Sequence, residues 1–264
     1  MIRPLWAVLR AQFGNLLQYR GAAVGGLITQ VFFGLVFVMV YEAVYAGTKA
    51  PHALTLAQVV TYVWLNQAFF AMQPWNPDVE VRQMMRTGAV AYELIRPCPL
   101  YVLWFARAVA LRAAPTLLRA IPLLMMAYFF FGLQLPAGPA SAGWWAVSML
   151  AALMLSSAIT VVLNCSLFWT VSGEGVVMLM PAVVMVFSGQ NLPLPLFPDW
   201  LQPFLAWQPF RGLLDVPARI YSGAIPPAEA AVNVASQWAW CAAFVVLGWL
   251  LTSRGLRRLV IQGG

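Results

Sequence analysis

Six apolar stretches alternate with polar connections along the chain, at roughly Gly21 to Tyr45, Leu56 to Met72, Ile121 to Leu135, Trp144 to Trp169, Val176 to Phe187 and Ala230 to Leu251. A helix needs ~20 apolar residues to cross a ~30 Å hydrocarbon core. Most of the six reach that length, and the third and fifth must borrow flanking residues. The pattern predicts an all-α membrane protein with six transmembrane helices, forming one domain over residues 1–264. The first stretch is preceded by about twenty residues and followed by five more, so it reads as an uncleaved anchor rather than a signal peptide.

The connections carry patterns of their own. In Met1 to Arg20, Ile2, Leu5, Trp6, Leu9, Phe13, Leu16 and Leu17 recur at three- and four-residue steps, with Arg3, Arg10, Gln12, Asn15 and Gln18 between them. This predicts an amphipathic helix over 1–20 lying in the membrane surface, its arginines toward anionic headgroups. Packing on another cytoplasmic protein is the alternative. The loop 78–99 has the highest charge density in the chain, with Glu80, Arg82, Arg86, Glu93 and Arg96. It can form a helix from Val79 to Ile95, and Pro97 and Pro99 then force a stop. A docking segment and a solvated loop are both open to it.

Beyond Pro99 the chain is apolar but includes Arg107, Arg112 and Arg119. A central arginine costs ~2.5 to 3.5 kcal/mol on the insertion scale, which assigns Arg107 and Arg112 to the interface and starts the third span near Ile121. Arg119 either snorkels or lines a protein-walled cavity. In the first span Gly21 and Gly25 form a small-xxx-small pair suited to close helix packing. Ser156, Ser157, Thr160, Asn164, Cys165 and Ser166 in the fourth read as helix-packing glue, with substrate contact the alternative. The segment 190–229 is broken by eight prolines between Pro193 and Pro227, yet keeps Phe197, Trp200, Phe204, Trp207 and Phe210. Short re-entrant helices beside the membrane suit that mixture.

Composition changes the picture only in emphasis: 62% apolar and 9% charged residues, against about 25% charged in soluble domains. Charge placement matters more. Arg3, Arg10 and Arg20, then Arg82, Arg86, Arg96, Arg107, Arg112 and Arg119, and finally Arg254, Arg257 and Arg258 fall on one side of a six-span arrangement. These are twelve of 15 basic residues, so the positive-inside rule places both termini in the cytoplasm. The net charge of +7 is thereby explained without nucleic acid, for which no soluble fold signature exists.

The chemistry of hydrolysis is missing. No phosphate-binding Gly-x-x-x-x-Gly-Lys-Ser/Thr loop is present, His52 stands alone, and no carboxylate pair falls within a span. Cys98, Cys165 and Cys241 lack metal-ligand spacing. An enzyme, a metal site and a resident cofactor are therefore not expected.

Two stretches carry a family likeness: Arg86-Thr-Gly-Ala-Val-Ala-Tyr-Glu-Leu-Ile-Arg-Pro97, and Leu192-Pro-Leu-Pro-Leu-Phe-Pro-Asp-Trp-Leu201 continuing to Gln208-Pro-Phe and Ile220-Tyr-Ser-Gly223. The chain resembles the permeases of type-2 ATP-binding-cassette (ABC) exporters, in particular a six-span branch, over nearly its whole length. That resemblance implies a multi-pass subunit of a bacterial inner membrane, coupled to a separate ABC ATPase present in two copies that binds ATP and magnesium. It implies a second permease half, the same chain or a companion, and contact with membrane lipids. The loop 78–99 becomes a coupling helix seated on the ATPase, with Arg82, Arg86, Glu93 and Arg96 as its charged contacts. Spans one, two and five face the other half, making Gln30, Asn66, Gln67, Gln190 and Asn191 candidate pathway residues, and Asn164 of the fourth span is a further candidate. A non-transporting structural or assembly subunit is the alternative function.

Overall fold

The structure, a computed structural model, describes residues 20–47, 53–75, 77–170 and 174–257, with residues 10, 11 and 14. The surface helix expected over 1–20 lies almost wholly outside the described residues. Lys49, His52 and Arg258 lie outside them as well.

Ten α-helices are described: α1 Arg20–Gly47, α2 Leu56–Ala68, α3 Val79–Thr87, α4 Ala91–Leu94, α5 Leu100–Phe130, α6 Pro139–Ser166, α7 Glu174–Phe187, α8 Gln202–Trp207, α9 Asp215–Tyr221 and α10 Pro227–Leu256. No strand occurs among the described residues. Four helices are long and apolar enough to cross a membrane, namely α1 (over Val24–Gly47), α5, α6 and α10. The other two expected spans are shorter: α2 has 13 residues and α7 has 14. At 1.5 Å per residue they reach only about 20 Å.

Local chemistry sets these boundaries. Thr55 caps α2 in a reciprocal box, accepting from the Gln58 N–H at 3.3 Å while the Gln58 Oε1 accepts from the Thr55 N–H at 2.9 Å. Pro139 and Pro227 open α6 and α10 in the first turn, where a missing N–H costs nothing. Gly132, at φ 75°, turns the chain after α5.

The third span departs from its expected start near Ile121. One continuous helix of 31 residues runs from Leu100 to Phe130, through Pro115 and Pro122, and carries all three arginines. Its length of about 46 Å exceeds the hydrocarbon core by about 15 Å, so the Arg107 end can extend beyond the apolar layer. Proline is tolerated within membrane helices packed among neighbours; beside Pro115 the Thr116 hydroxyl donates to the Arg112 carbonyl at 2.6 Å. Arg112 donates to Thr160 Oγ1 on α6 at 3.0 Å. The Arg119 guanidinium lies against Gly26, where an added Cβ would come within 2.7 Å of it. A protein wall, rather than open lipid, thus meets Arg119.

The core is built around α6, whose Ser156, Ser157 and Thr160 are fully buried. Ser148 donates to Gln237 Oε1 on α10 at 2.8 Å, and the Gln237 amide donates to the Gly212 carbonyl at 2.7 Å. Ser156 donates to the Met72 carbonyl. The hydroxyl-rich span is glue, as its composition suggested. Between α1 and α2 the contact glycine is Gly34, whose added Cβ would fall 2.5 Å from the Trp64 ring. At Gly21 and Gly25, the expected packing pair, an added Cβ would meet nothing within 4 Å among the described residues.

Candidate functional site

The loop between α2 and α5 is anchored on one side and open on the other. Asp78 caps α3, accepting from the Glu80 N–H at 2.9 Å, while its own N–H donates to Asn164 Oδ1 on α6 at 2.8 Å. Arg107 of α5 reaches both Asp78 and Glu80 in ion pairs. Asp78 and Arg107 are buried, whereas the Glu80 side chain is 68% exposed. Beneath them Val81 and Val90 pack with Leu100, Trp104, Val161 and Cys165. The loop is therefore fixed to α5 and α6 by charge, by an amide and by apolar burial together.

The expected single helix from Val79 to Ile95 is two pieces. Gly88 takes φ 75° and ends α3, and the Val90 N–H returns to the Met84 carbonyl at 3.2 Å. A left-handed residue cannot continue a right-handed helix, so α4 restarts at Ala91. The break changes what the charged residues do. Arg86 and Arg96 are exposed and Arg82 is half-buried. Glu93 turns inward, 5% exposed, and accepts from Trp104 Nε1 at 2.8 Å. The outward surface consists of Arg86 and Arg96 with the apolar Val79, Tyr92 and Ile95, each more than 70% exposed. Charged apexes normally keep such side chains covered; here three large apolar groups stand in the open.

A second site lies between α1, α2 and the turn after α7. A cavity of about 220 Å³ brings together Gln30, Gln67, Gln190 and Asn191. Phe33, Phe37, Phe70 and Met185 form its apolar wall. The turn is held in place twice: the Asn66 side-chain amide donates to the Gln190 carbonyl, and Tyr41 donates to the Asn191 carbonyl at 3.0 Å. Gly189, at φ 84°, makes the turn, and any Cβ there would collide with Tyr62. Five of the six residues singled out as pathway candidates are thus neighbours. Asn164 stands apart from them, at the cap of α3.

Sequence reading missed Asp215 entirely. It is fully buried at the start of α9, accepting from the Tyr62 hydroxyl at 3.2 Å and pairing with Arg219 at 3.3 Å. Burial pushes its carboxyl above the usual range, opposed by the Arg219 and Arg211 guanidinium groups. The pairing ties the short helices of 190–229 to α2. Short helices do form there, with 3₁₀ segments at Leu194–Leu196 and Asp199–Leu201 before α8 and at Pro209–Leu213 between α8 and α9. Trp200 and Trp207 stay largely exposed.

Helices throughout the described residues, four of them long and apolar enough to cross a bilayer, make this an all-α membrane protein. Residues 27–263 match the family described as ABC-2 family transporter protein, and the chain belongs to that family. It is accordingly a permease component of an ABC transporter. Among curated proteins none matches the chain.

Proposed function

We propose that this chain is one half of the translocation pathway of an ABC exporter in a bacterial inner membrane, with both termini cytoplasmic and a separate ATPase subunit seated on the α3–α4 loop. The observation that carries the reading is the double character of that loop. Its outer surface shows Arg86, Arg96, Tyr92 and Ile95 to solvent, while its root is locked to α5 and α6 through Arg107 and Asn164. A loop that served only as a connection would have no use for both features. Two ATPase copies, binding ATP and magnesium, would press on such loops in the two halves, and a rigid root would carry the displacement into α5 and α6. Glu93 then serves to hold α4 through Trp104 rather than to meet the ATPase.

The C-terminal ends of α2 and α7 are compatible with six crossings despite the helices' lengths. Both helices stop at the mid-bundle cavity, where their remaining backbone is enclosed by protein, the condition under which irregular backbone is tolerated at membrane depth. The test is co-purification from membranes. The double variant Arg86→Glu/Arg96→Glu is expected to lose at least tenfold of the bound ATPase, while Gln202→Ala, in the 190–229 segment, keeps it. Retention of the ATPase by the charge-reversed loop would overturn the coupling role, and absence of any ATPase from the wild-type complex would favour an assembly subunit.

A further inference from the structure

A groove of about 660 Å³ runs between the later part of α1, the start of α2 and the end of α5. It shares no lining residue with the mid-bundle cavity. Leu35, Val38, Met39 and Glu42 follow at three- and four-residue steps, so they stand on one face of α1. Phe130 and Phe131 close the rim at the end of α5, their ring centroids 6.3 Å apart. Met39 and Phe130 are largely exposed, which leaves the groove open toward the surrounding bilayer.

Among the described residues that line it, Glu42 alone is charged. Its side chain is exposed, and among the described residues it makes no ion pair. Depth gives that carboxylate its meaning. With 28 residues, α1 is about 42 Å long, and centred on a ~30 Å hydrocarbon core it leaves about 6 Å beyond each edge. Glu42, about 8 Å of helix before the Gly47 end, falls at the edge itself, while Leu35 lies about 10 Å deeper. A carboxylate at that depth is costly without a counter-ion. Phenyl rings also attract cations through their quadrupole. Both features favour a positive head over an anionic one. Below them Met39, Val38 and Leu35 offer a purely apolar strip suited to an acyl chain. The volume falls within the ~300–1,000 Å³ of small-molecule sites.

We propose that this groove binds an aminophospholipid of the surrounding bilayer, its ammonium on Glu42 and one acyl chain laid along α1 toward Leu35. The site goes beyond the pathway reading and does not depend on it, since it asks only that α1 and α5 cross a bilayer. The probes are phosphatidylethanolamine and phosphatidylglycerol, each with a diazirine in the same acyl chain. Each is added in trace to the permease, with the partners it retains from membranes, in phosphatidylglycerol nanodiscs.

Phosphatidylethanolamine is expected to label peptides spanning 35–42 or 130–132 at least fivefold more than phosphatidylglycerol. The α10 peptide with Val246 and Trp249, both about half exposed, should take the two probes equally and serves as the reference for bulk lipid contact. Glu42→Gln should bring the preference in the groove below twofold, and Glu42→Asp should keep part of it. Because the Glu42 side chain is exposed and unpaired among the described residues, Glu42→Gln should leave the α10 labelling and the unfolding temperature unchanged, so a lost preference is not lost folding. Equal labelling of the groove by both probes in the wild type would overturn the proposal, as would a preference that survives Glu42→Gln. Labelling of α10 with none in the groove would overturn it too, the result expected if a second permease half covers that face.

Discussion

Arg107 holds two carboxylates at once, yet only one of those pairs is out of water. The Asp78 side chain is 4% exposed and Glu80 is 68% exposed, so solvent screens the second interaction far more than the first. Removing the cation would leave Asp78 buried and uncompensated, a change that costs about 3–5 kcal/mol in buried pairs. Arg107→Met should therefore destabilise the purified permease by roughly that amount in denaturant titration. Asp78→Asn/Arg107→Met should recover at least 1 kcal/mol of the loss, the size of coupling expected of contacting residues. A double variant as unstable as the sum of the two singles would show that the pair is not coupled. The glycines of α1 make a sharper contrast. An alanine methyl at Gly34 would fall 2.5 Å from the indole of Trp64, which is fully buried and hydrogen-bonded to the Phe131 carbonyl at 3.0 Å. That hydrogen bond and stacking on the Phe131 ring hold the indole in place. Overpacking of that kind costs about 1–3 kcal/mol. Gly34→Ala should lower the unfolding temperature, and Gly25→Ala, with nothing within 4 Å, should leave the isolated chain unchanged.

At the scale of elements the consequential feature is the break at Gly88. A Cβ added there would meet nothing within 4 Å among the described residues, so only the φ of 75° opposes substitution. A left-handed β-branched residue costs about 1–2 kcal/mol. Gly88→Val should therefore favour a straighter α3 running into α4, displacing Tyr92 and Glu93. Faster proteolytic cleavage of the 78–99 loop and weaker ATPase retention are the expected readouts; an unchanged cleavage rate would place the strain elsewhere. The case also shows where sequence reading reaches its limit. The apolar runs disclosed the four membrane-length helices, because crossing a hydrocarbon core demands about twenty such residues, and the prolines of 190–229 disclosed a chain of short helices. Gly88 was in plain view, but one glycine within a helical pattern does not say whether the helix ends there. Arg107, Arg112 and Arg119 misled in the opposite direction, since their insertion cost set the third span's start near Ile121 and α5 runs through all three. The cavity residues were legible as polar positions in greasy surroundings. Asp215 was not, for its partner Tyr62 lies 153 residues away and no local pattern joins them.

Over the whole molecule, packing is lopsided. The membrane-length window of α6 is 61% buried within the chain, while that of α1 is 17% buried. The open face of α1 carries Val24, Ile28, Phe32 and Met39, each more than half exposed, and the small Gly21 and Gly25 lie open beside them. Lipid tails would satisfy the large side chains, but they gain nothing from glycines that allow a close backbone approach. A helix of another protein would gain from them, and the α1 edge also bounds the cavity, so the proposed second half, docked there, would enclose the cavity from its open side. A far surface exists for comparison, since Val246 and Trp249 of α10 are about half exposed as well. The two alternatives separate by cross-linking. With Cys98 replaced by serine and the buried Cys165 and Cys241 retained, Phe32→Cys is expected to give an oxidation-dependent dimer in native membranes. Val246→Cys should give little. A cross-link at position 32 to a heavier or lighter partner would identify the second half as a companion chain. Equal cross-linking at positions 32 and 246 would show that collisions, not a built interface, bring the halves together, and the open side of α1 would then face only lipid.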